Sequence, residues 1–504
     1  MRTEQHPVGR IAVAAFATAF VVGAAGCAQL AGIDETTGDG LPGASVTLQR
    51  MSIGNTVEIA PLDLTGLQAS YLVAKAGTTT DFDRVAASNG GGGTWVTKLR
   101  TPAPVVLTLP DVPAPVPRSY AFPNLALSIL FPSLEHLGRS PPPQGAMLTV
   151  TAQLDAATTV NDSFEVFTVG SWTSHPVPVE MAGGTDVSVS YAFDTSASLT
   201  GRTQLDRLTV RDAFLILRHT GNALTGVAEA TPFDQTGDDT VSATMVPVTQ
   251  NQTIDVLISP DIAKRYAAVR PAVSGLSMGW AVRAAPGARI ASPTGPQLNG
   301  GTVMAADTGV NARYGNPFAG PPHRWSSIFT LGTNESRQIM LPVPDMPAMM
   351  LPATLYAGMS QFVDASSGVT GLIGLDAGLP ELIKLGDRSL SIDGLTIPRP
   401  TQFVEITFSA DVAANTLFSV ELFELLPDPG MPPTRFEPHF VFEANATEAR
   451  FLLPPEILQP GHIYTLRAVC SAGGFPAIQS GSLTMRQLPF SQSVLDSGVF
   501  TVMP

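Results

Sequence analysis

The chain has 504 residues, 44% of them apolar and 14% charged, with a formal net charge of -14. That length exceeds what a single core organises and the apolar content is ample for burial, so three or four domains are expected. An acidic surface repels phosphates, which excludes nucleic acid as a partner.

The first element in chain order is an export signal. Met1 to Arg10 carries Arg2 and Arg10, and Ile11 to Ala25 is an uncharged, apolar run of fifteen residues with Thr18 its one hydroxyl. This is shorter than the roughly 20 residues a membrane-spanning helix needs, so residues 1–26 read as a cleaved signal peptide and not as a permanent anchor. The run ends in Ala24-Ala25-Gly26-Cys27, which resembles the lipobox of bacterial lipoproteins. The resemblance implies that Cys27 becomes the first residue of the mature chain and carries a diacylglycerol thioether and an N-acyl group. Each buried methylene contributes about 0.8 kcal/mol, so several acyl chains together hold a protein stably on a membrane. Ala28 stands where lipoproteins retained in the inner membrane usually have Asp, so the resemblance further implies the outer membrane, with the periplasmic face and the cell surface both open. An ordinary cleaved signal with a coincidental cysteine is the alternative.

Removing residues 1–26 takes away two arginines and one glutamate, so the net charge of -14 becomes -15. Cys470 is the only other cysteine, and acylation of Cys27 leaves it no disulfide partner. Stability must then come from core packing.

Residues 27–45 are small, polar and Gly-rich, the composition of a flexible tether. Gly38-Asp39-Gly40-Leu41-Pro42-Gly43 matches G-x-G-x-x-G, but no strand precedes it and Pro42 sits where a phosphate-binding helix would begin, so no dinucleotide cofactor is expected. Residues 46–145 form an N-terminal β domain. In it, Asn89-Gly90-Gly91-Gly92-Gly93 before Trp95 reads as a hairpin connection, with a mobile ligand loop as the less common alternative.

Beyond the tether the dominant signal has period two. The runs 147–154, 163–169, 186–193, 213–219, 403–410, 418–425 and 463–469 are short, β-branched or aromatic, and bounded by Gly, Pro, Asn or Asp. These are strands of antiparallel sheets, and the 44 prolines and 46 glycines between them would break long helices. The fold class expected is all-β, an array of antiparallel β-sandwiches, with a sandwich over 146–250 and a β domain over 251–390. One short helix is expected over 259–269, with Ser259 as N-cap and Pro260 in its first turn. Shifting the sequence by 256 residues aligns Thr151, Asp155, Ala157, Ser163, Glu165 and Phe167 with Thr407, Asp411, Ala413, Ser419, Glu421 and Phe423, as a duplicated unit would. Leu109-Pro110-Asp111-Val112-Pro113-Ala114 and Val343-Pro344-Asp345-Met346-Pro347-Ala348 form a second related pair at an offset of 234.

In the last segment, Leu458-Gln459-Pro460-Gly461-His462-Ile463-Tyr464-Thr465-Leu466 resembles the E to F corner of a fibronectin type III domain, a member of the immunoglobulin-like sandwiches. The resemblance covers 391–504. It implies that Tyr464 buries its ring and returns its hydroxyl to the backbone upstream, as a tyrosine corner does. Phe403 and Phe408 stand where that family has a tryptophan.

The chemistry-bearing patterns are few. Gly275-Leu276-Ser277-Met278-Gly279 matches G-x-S-x-G, with Asp364, His439 and His462 following in hydrolase order. That would make the protein a lipid-anchored serine esterase acting through Ser277. Leu276, Met278, Trp280 and Val282 alternate with smaller or polar residues, however, as in a half-buried strand, so Ser277 is expected to be structural. The seven histidines lack the spacing of a zinc site, and Asp234, Asp238 and Asp239 form an acidic turn without the ligand spacing of an EF-hand. No metal, no cofactor and no catalysis are expected. The expected function is a non-enzymatic, lipid-anchored envelope protein that binds an envelope protein or extracellular polysaccharide and is held to the membrane through Cys27.

Overall fold

Short runs with alternating large apolar residues cannot bury themselves as helices, and in the computed structural model each of the seven runs named above is a strand. The structure describes residues 44–503 apart from the segments 98–103, 110–115, 122–125, 131–146, 169–172, 178–182, 193–213, 248–251, 259–278, 288–298, 305–309, 317–325, 365–371, 374–377, 411–415 and 484–488 and a few shorter interruptions. The helix expected over 259–269 lies outside the described residues. Helical structure among the described residues is confined to short 3₁₀ turns such as Pro455–Ile457. No helix among them is long and apolar enough to cross a membrane.

Between 147 and 247 seven strands pair with one another. Met147–Gln153 is antiparallel to Asp186–Ala192, while Asp162–Thr168 lies between Thr173–Val177 and Phe214–Thr220, both antiparallel to it. Asp239–Pro247 closes the unit by changing partners along its length. Its first part runs parallel to Met147–Gln153 and its last residues pair with Ala223–Ala230. Val150, Phe164, Ile216, Ala228 and Val241 fill the space between the layers.

The same pairing recurs downstream. Val404–Ser409 is antiparallel to Arg450–Leu453, and Thr416–Pro427 lies between Phe436–Ala446 and Ile463–Gly473. The strands holding Thr151 and Thr407 thus each pair antiparallel with the third strand after them, and those holding Ser163 and Ser419 each lie between the next strand and the one three further on. The second partners of the Thr151 and Thr407 strands differ, one parallel and downstream, the other antiparallel and upstream. Phe214 stands opposite Thr168 as Tyr464 stands opposite Glu424, the residue 256 positions after Thr168. Two sheets enclose this second core, in which Val420, Leu422, Phe442, Tyr464, Leu466 and Ile406 are fully buried. At roughly 1.5–3 kcal/mol for each large apolar side chain removed from water, this cluster is the main source of the unit's stability.

The corner at Tyr464 is built as its local sequence implies. Gly461 takes a φ of 81°, which a side chain would strain, and turns the chain into the strand. The Tyr464 ring has no exposed surface and stacks on Phe500 with ring centroids 5.8 Å apart. The Gln459 N–H donates to its hydroxyl at 2.9 Å, and the hydroxyl faces the Ile457 carbonyl at 3.5 Å. Burial pushes the phenol up to about 12.

Strand pairing runs across the boundary expected at 390/391. Glu381–Leu385 is antiparallel to Val404–Ser409 and contributes Ile383 and Leu385 to the same core. The reason is local: Gly386-Asp387 joins Leu385 to Arg388 as the turn of a hairpin, with Gly386 at φ 58°. At the other margin, Phe436–Ala446 runs parallel to Val116–Ala121, a strand of the N-terminal region. Phe490–Asp496 pairs with Met346–Asp364, the second arm of a long hairpin whose first arm is Ser326–Val343. The central sheet therefore gathers strands from three of the expected segments. A further core about Val46, Leu48, Trp95, Leu107 and Phe490 joins the N-terminal strands to it.

The glycine run before Trp95 is a hairpin connection. Ser88–Gly91 is antiparallel to Thr94–Thr97, and the Asn89 side chain accepts the Gly91 N–H at 2.8 Å. Gly93 packs so tightly that a Cβ there would lie 2.7 Å from the Leu48 carbonyl oxygen.

Candidate functional site

A row of charged residues crosses the central sheet. Register places Asp496 opposite Arg467, Arg467 opposite Glu421, Glu421 opposite Glu443, and Glu443 opposite Arg118. Residues directly opposite one another share a face, so these five side chains form one ladder, on the opposite face from Val420, Leu422 and Leu466. It runs minus, plus, minus, minus, plus.

The hydrogen bonds divide the ladder into two hydrogen-bonded pairs, with Glu421 between them. Arg467 grips Asp496 with two bonds, Nε to Oδ1 at 2.7 Å and Nη2 to Oδ2 at 3.1 Å, and the Tyr356 N–H donates to Oδ2 at 2.7 Å. Arg118 Nε donates to Glu443 Oε2 at 2.7 Å, and Asn445 Nδ2 donates to Oε1 at 2.7 Å while accepting from Ser419 at 2.6 Å. Glu421 has only an ionic contact with Arg467 Nη1 at 3.7 Å. Aromatic rings frame the cations: the Arg467 guanidinium lies 4.8 Å from the Phe423 centroid and 5.6 Å from that of Tyr356, and Arg118 lies 5.5 Å from that of Phe440.

With three carboxylates and two guanidiniums, the ladder is neutral when one carboxyl holds a proton. Among the described residues, Glu421 is the carboxyl of the ladder that accepts no hydrogen bond, and it is the one whose proton affinity is raised. Burial, opposed by the Arg467 charge and reinforced by the Glu443 charge, pushes its carboxyl from the usual 4.5 up to about 7. A raised carboxylate pKa means that the folded state holds the proton more tightly than the unfolded chain. The stability of this sheet should therefore be highest at mildly acid pH and fall as pH rises from about 4.5 through about 7. The side chain keeps 32% of its exposure, so after solvent screening the loss should be on the order of 1 kcal/mol. Glu421→Gln should flatten that slope and melt above the wild type at alkaline pH. Thermal denaturation of both proteins across this range checks it, and parallel curves would contradict the assignment.

The sequence-predicted residues fall elsewhere. Cys27, Ser277 and the glycines of 38–43 lie outside the described residues. Trp280 and Val282 lie in the strand Gly279–Gly287. Asp364 ends the second arm of the long hairpin, opposite Ile328. His439 and His462 come to one carboxylate: His439 is in register with Glu424, and His462 Nδ1 is 2.5 Å from Glu424 Oε1, both imidazoles being exposed. In the acidic turn, Asp239 accepts the N–H groups of Thr236 and Gly237 at 3.0 and 3.3 Å. Among the described residues no group of three His, Cys, Asp or Glu side chains is placed to hold a metal ion.

None of the ladder residues stands out in the sequence as a site. The available signal is a charge flanked by apolar residues inside a strand-like run, as at Glu421 between Val420 and Leu422 and Arg467 between Leu466 and Ala468. Partners 325 residues apart, such as Arg118 and Glu443, are not signalled at all.

No protein-family model matches the chain, and no curated protein matches it.

Proposed function

We propose that the protein is a non-enzymatic lipoprotein of the outer membrane, anchored through lipid on Cys27, whose β-sandwich array, ending in a fibronectin type III-like unit, binds an envelope protein or an extracellular polysaccharide. The observation that carries this reading is Ala24-Ala25-Gly26-Cys27 at the end of an apolar signal. Two features of the fold support it. The buried charges of the described residues are spent on one another, in the Arg467–Asp496, Arg118–Glu443 and Arg218–Asp162 pairs, an arrangement that holds strands in register. The Tyr464 ring is buried and its hydroxyl accepts the Gln459 N–H.

The anchor is tested by Cys27→Ala. Expressed in a bacterium with a lipoprotein-processing pathway, the wild type should enter the detergent phase on phase partition and the variant the aqueous phase. Equal partitioning would rule out acylation at Cys27.

A further inference from the structure

The charged ladder breaks its alternation at one place. Across the strands it runs Asp496, Arg467, Glu421, Glu443, Arg118, and the signs alternate except where Glu421 and Glu443 stand directly opposite one another. Like charges in that position repel. The two guanidiniums of the ladder lie outside the pair: Arg467 is bonded to Asp496 and comes within 3.7 Å of Glu421, and Arg118 reaches Glu443 from the strand beyond it. One cation between the two carboxylates would complete the alternation.

The carboxylates keep the acceptors such a cation needs. An ionised carboxylate offers about four lone-pair sites. Among the described residues Glu421 accepts no hydrogen bond, and Glu443 accepts one at each oxygen, from Arg118 and Asn445, which leaves each oxygen a further site. The two side chains keep 32% and 24% of their exposure, so solvent reaches both. Two half-buried rings border them. Phe423 lies 4.8 Å from the Arg467 guanidinium, Phe440 lies 5.5 Å from that of Arg118, and the ring centroids are 5.7 Å apart, so the ring pair spans from one guanidinium to the other alongside the carboxylates.

This setting selects among occupants. A neutral sugar brings no charge to relieve the Glu421–Glu443 repulsion. A calcium ion takes about six to eight oxygens, and among the described residues no group of three acidic or imidazole side chains is placed to hold a metal ion. We propose that the gap between Glu421 and Glu443 receives a lysine side chain from a basic segment of a partner protein. Its ammonium donates to both carboxylates, and its methylene stem lies along the Phe423 and Phe440 rings. The chain's net charge of -14 draws such a segment toward it. The proposal rests on the reading of the protein as a binder of an envelope protein and names the chemistry of that partner.

The test uses the full chain with Cys27→Ala, which keeps it free of lipid, and an end-blocked fluorescent tetralysine peptide followed by anisotropy at mildly alkaline pH. The phase partition described above tests the anchor separately, so either reading can fail alone. Tetralysine should bind saturably, and its Nε-acetylated form should not. Glu421→Gln should weaken binding roughly five- to tenfold, the loss of one partly buried charge contact, while its melting temperature stays at or above that of the wild type. Asp387→Asn removes the same charge from an exposed hairpin turn and should leave binding unchanged. As pH falls through about 7, Glu421 takes up its proton amid the charges of Arg467, Glu443, Asp496 and Arg118, so wild-type binding should weaken while that of Glu421→Gln stays level. No saturable binding, equal binding by Glu421→Gln, an equal loss in Asp387→Asn, or wild-type binding independent of pH would each overturn the proposal. So would saturable binding of calcium ion or of a neutral oligosaccharide that Glu421→Gln abolishes, without binding of tetralysine.

Discussion

Arg218→Ala should destabilise the sandwich of residues 147–247 by about 3–5 kcal/mol, the usual cost of stranding one member of a buried ion pair. The Arg218 side chain retains 7% exposure and that of Asp162 none, with Nη2 2.7 Å from Oδ2. Its other contacts are Asp155 Oδ1 at 3.2 Å and the carbonyls of Ala156 and Ala157 at 2.8 and 2.9 Å. One side chain thus ties the strand Phe214–Thr220 to the loop after Met147–Gln153. Asp162 also accepts the Thr159 N–H and the Thr220 hydroxyl. Although burial opposes ionisation, these donors and the Arg218 charge together lower its carboxyl to about 2.

A depressed folded-state pKa means that this stabilisation is present above the ordinary value near 3.8 and is lost as pH falls through about 2. Arg218→Ala should bring acid unfolding of this unit to higher pH. For a domain of 60–100 residues, about 3–5 kcal/mol is a downward shift of at least roughly 12 °C in melting temperature. Hydrogen exchange over residues 147–247 in the full chain measures the loss directly. Arg218→Met combined with Asp162→Leu should recover much of it, because an apolar pair of similar volume strands no charge. Native-like exchange in Arg218→Ala would mean that Asp162 is compensated by its hydroxyl and amide donors alone.

Arg467→Ala should cost about 3 kcal/mol, at the lower end of the same range because the guanidinium keeps 25% exposure while Asp496 keeps 2%. Lysine should rescue this poorly. It cannot reproduce two parallel bonds to one carboxylate, nor lie as a flat cation between the Phe423 and Tyr356 rings. Among the described residues, removing Arg467 also takes away the only cation in contact with Glu421, so that carboxyl should hold its proton to still higher pH. The expected order of stability is wild type, Arg467→Lys, Arg467→Ala. A double-mutant cycle with Asp496→Asn isolates the pair, and a coupling energy near zero would show that Asp496 is satisfied by the Tyr356 N–H alone.

What the sequence by itself determined about this protein is whatever depends on neighbours along the chain. Period-two alternation is local, so runs such as 147–154 and 463–469 were legible as strands before any partner was known. The Asn89 to Gly93 turn and the Tyr464 corner were legible for the same reason, since each is written in a few consecutive residues. The membership of Glu381–Leu385 in the same sandwich as Val404–Ser409 was not legible locally, because only their pairing across the Gly386-Asp387 hairpin shows it. The charged ladder belongs wholly to the tertiary structure. Glu421 meets Glu443 and Arg467, and Glu443 meets Arg118, through strand registers that join distant parts of the chain. A slip of one residue in any of these pairings would send a strand's side chains to the opposite face, and the turns and alternation that fix each strand locally carry no information about which partner it takes.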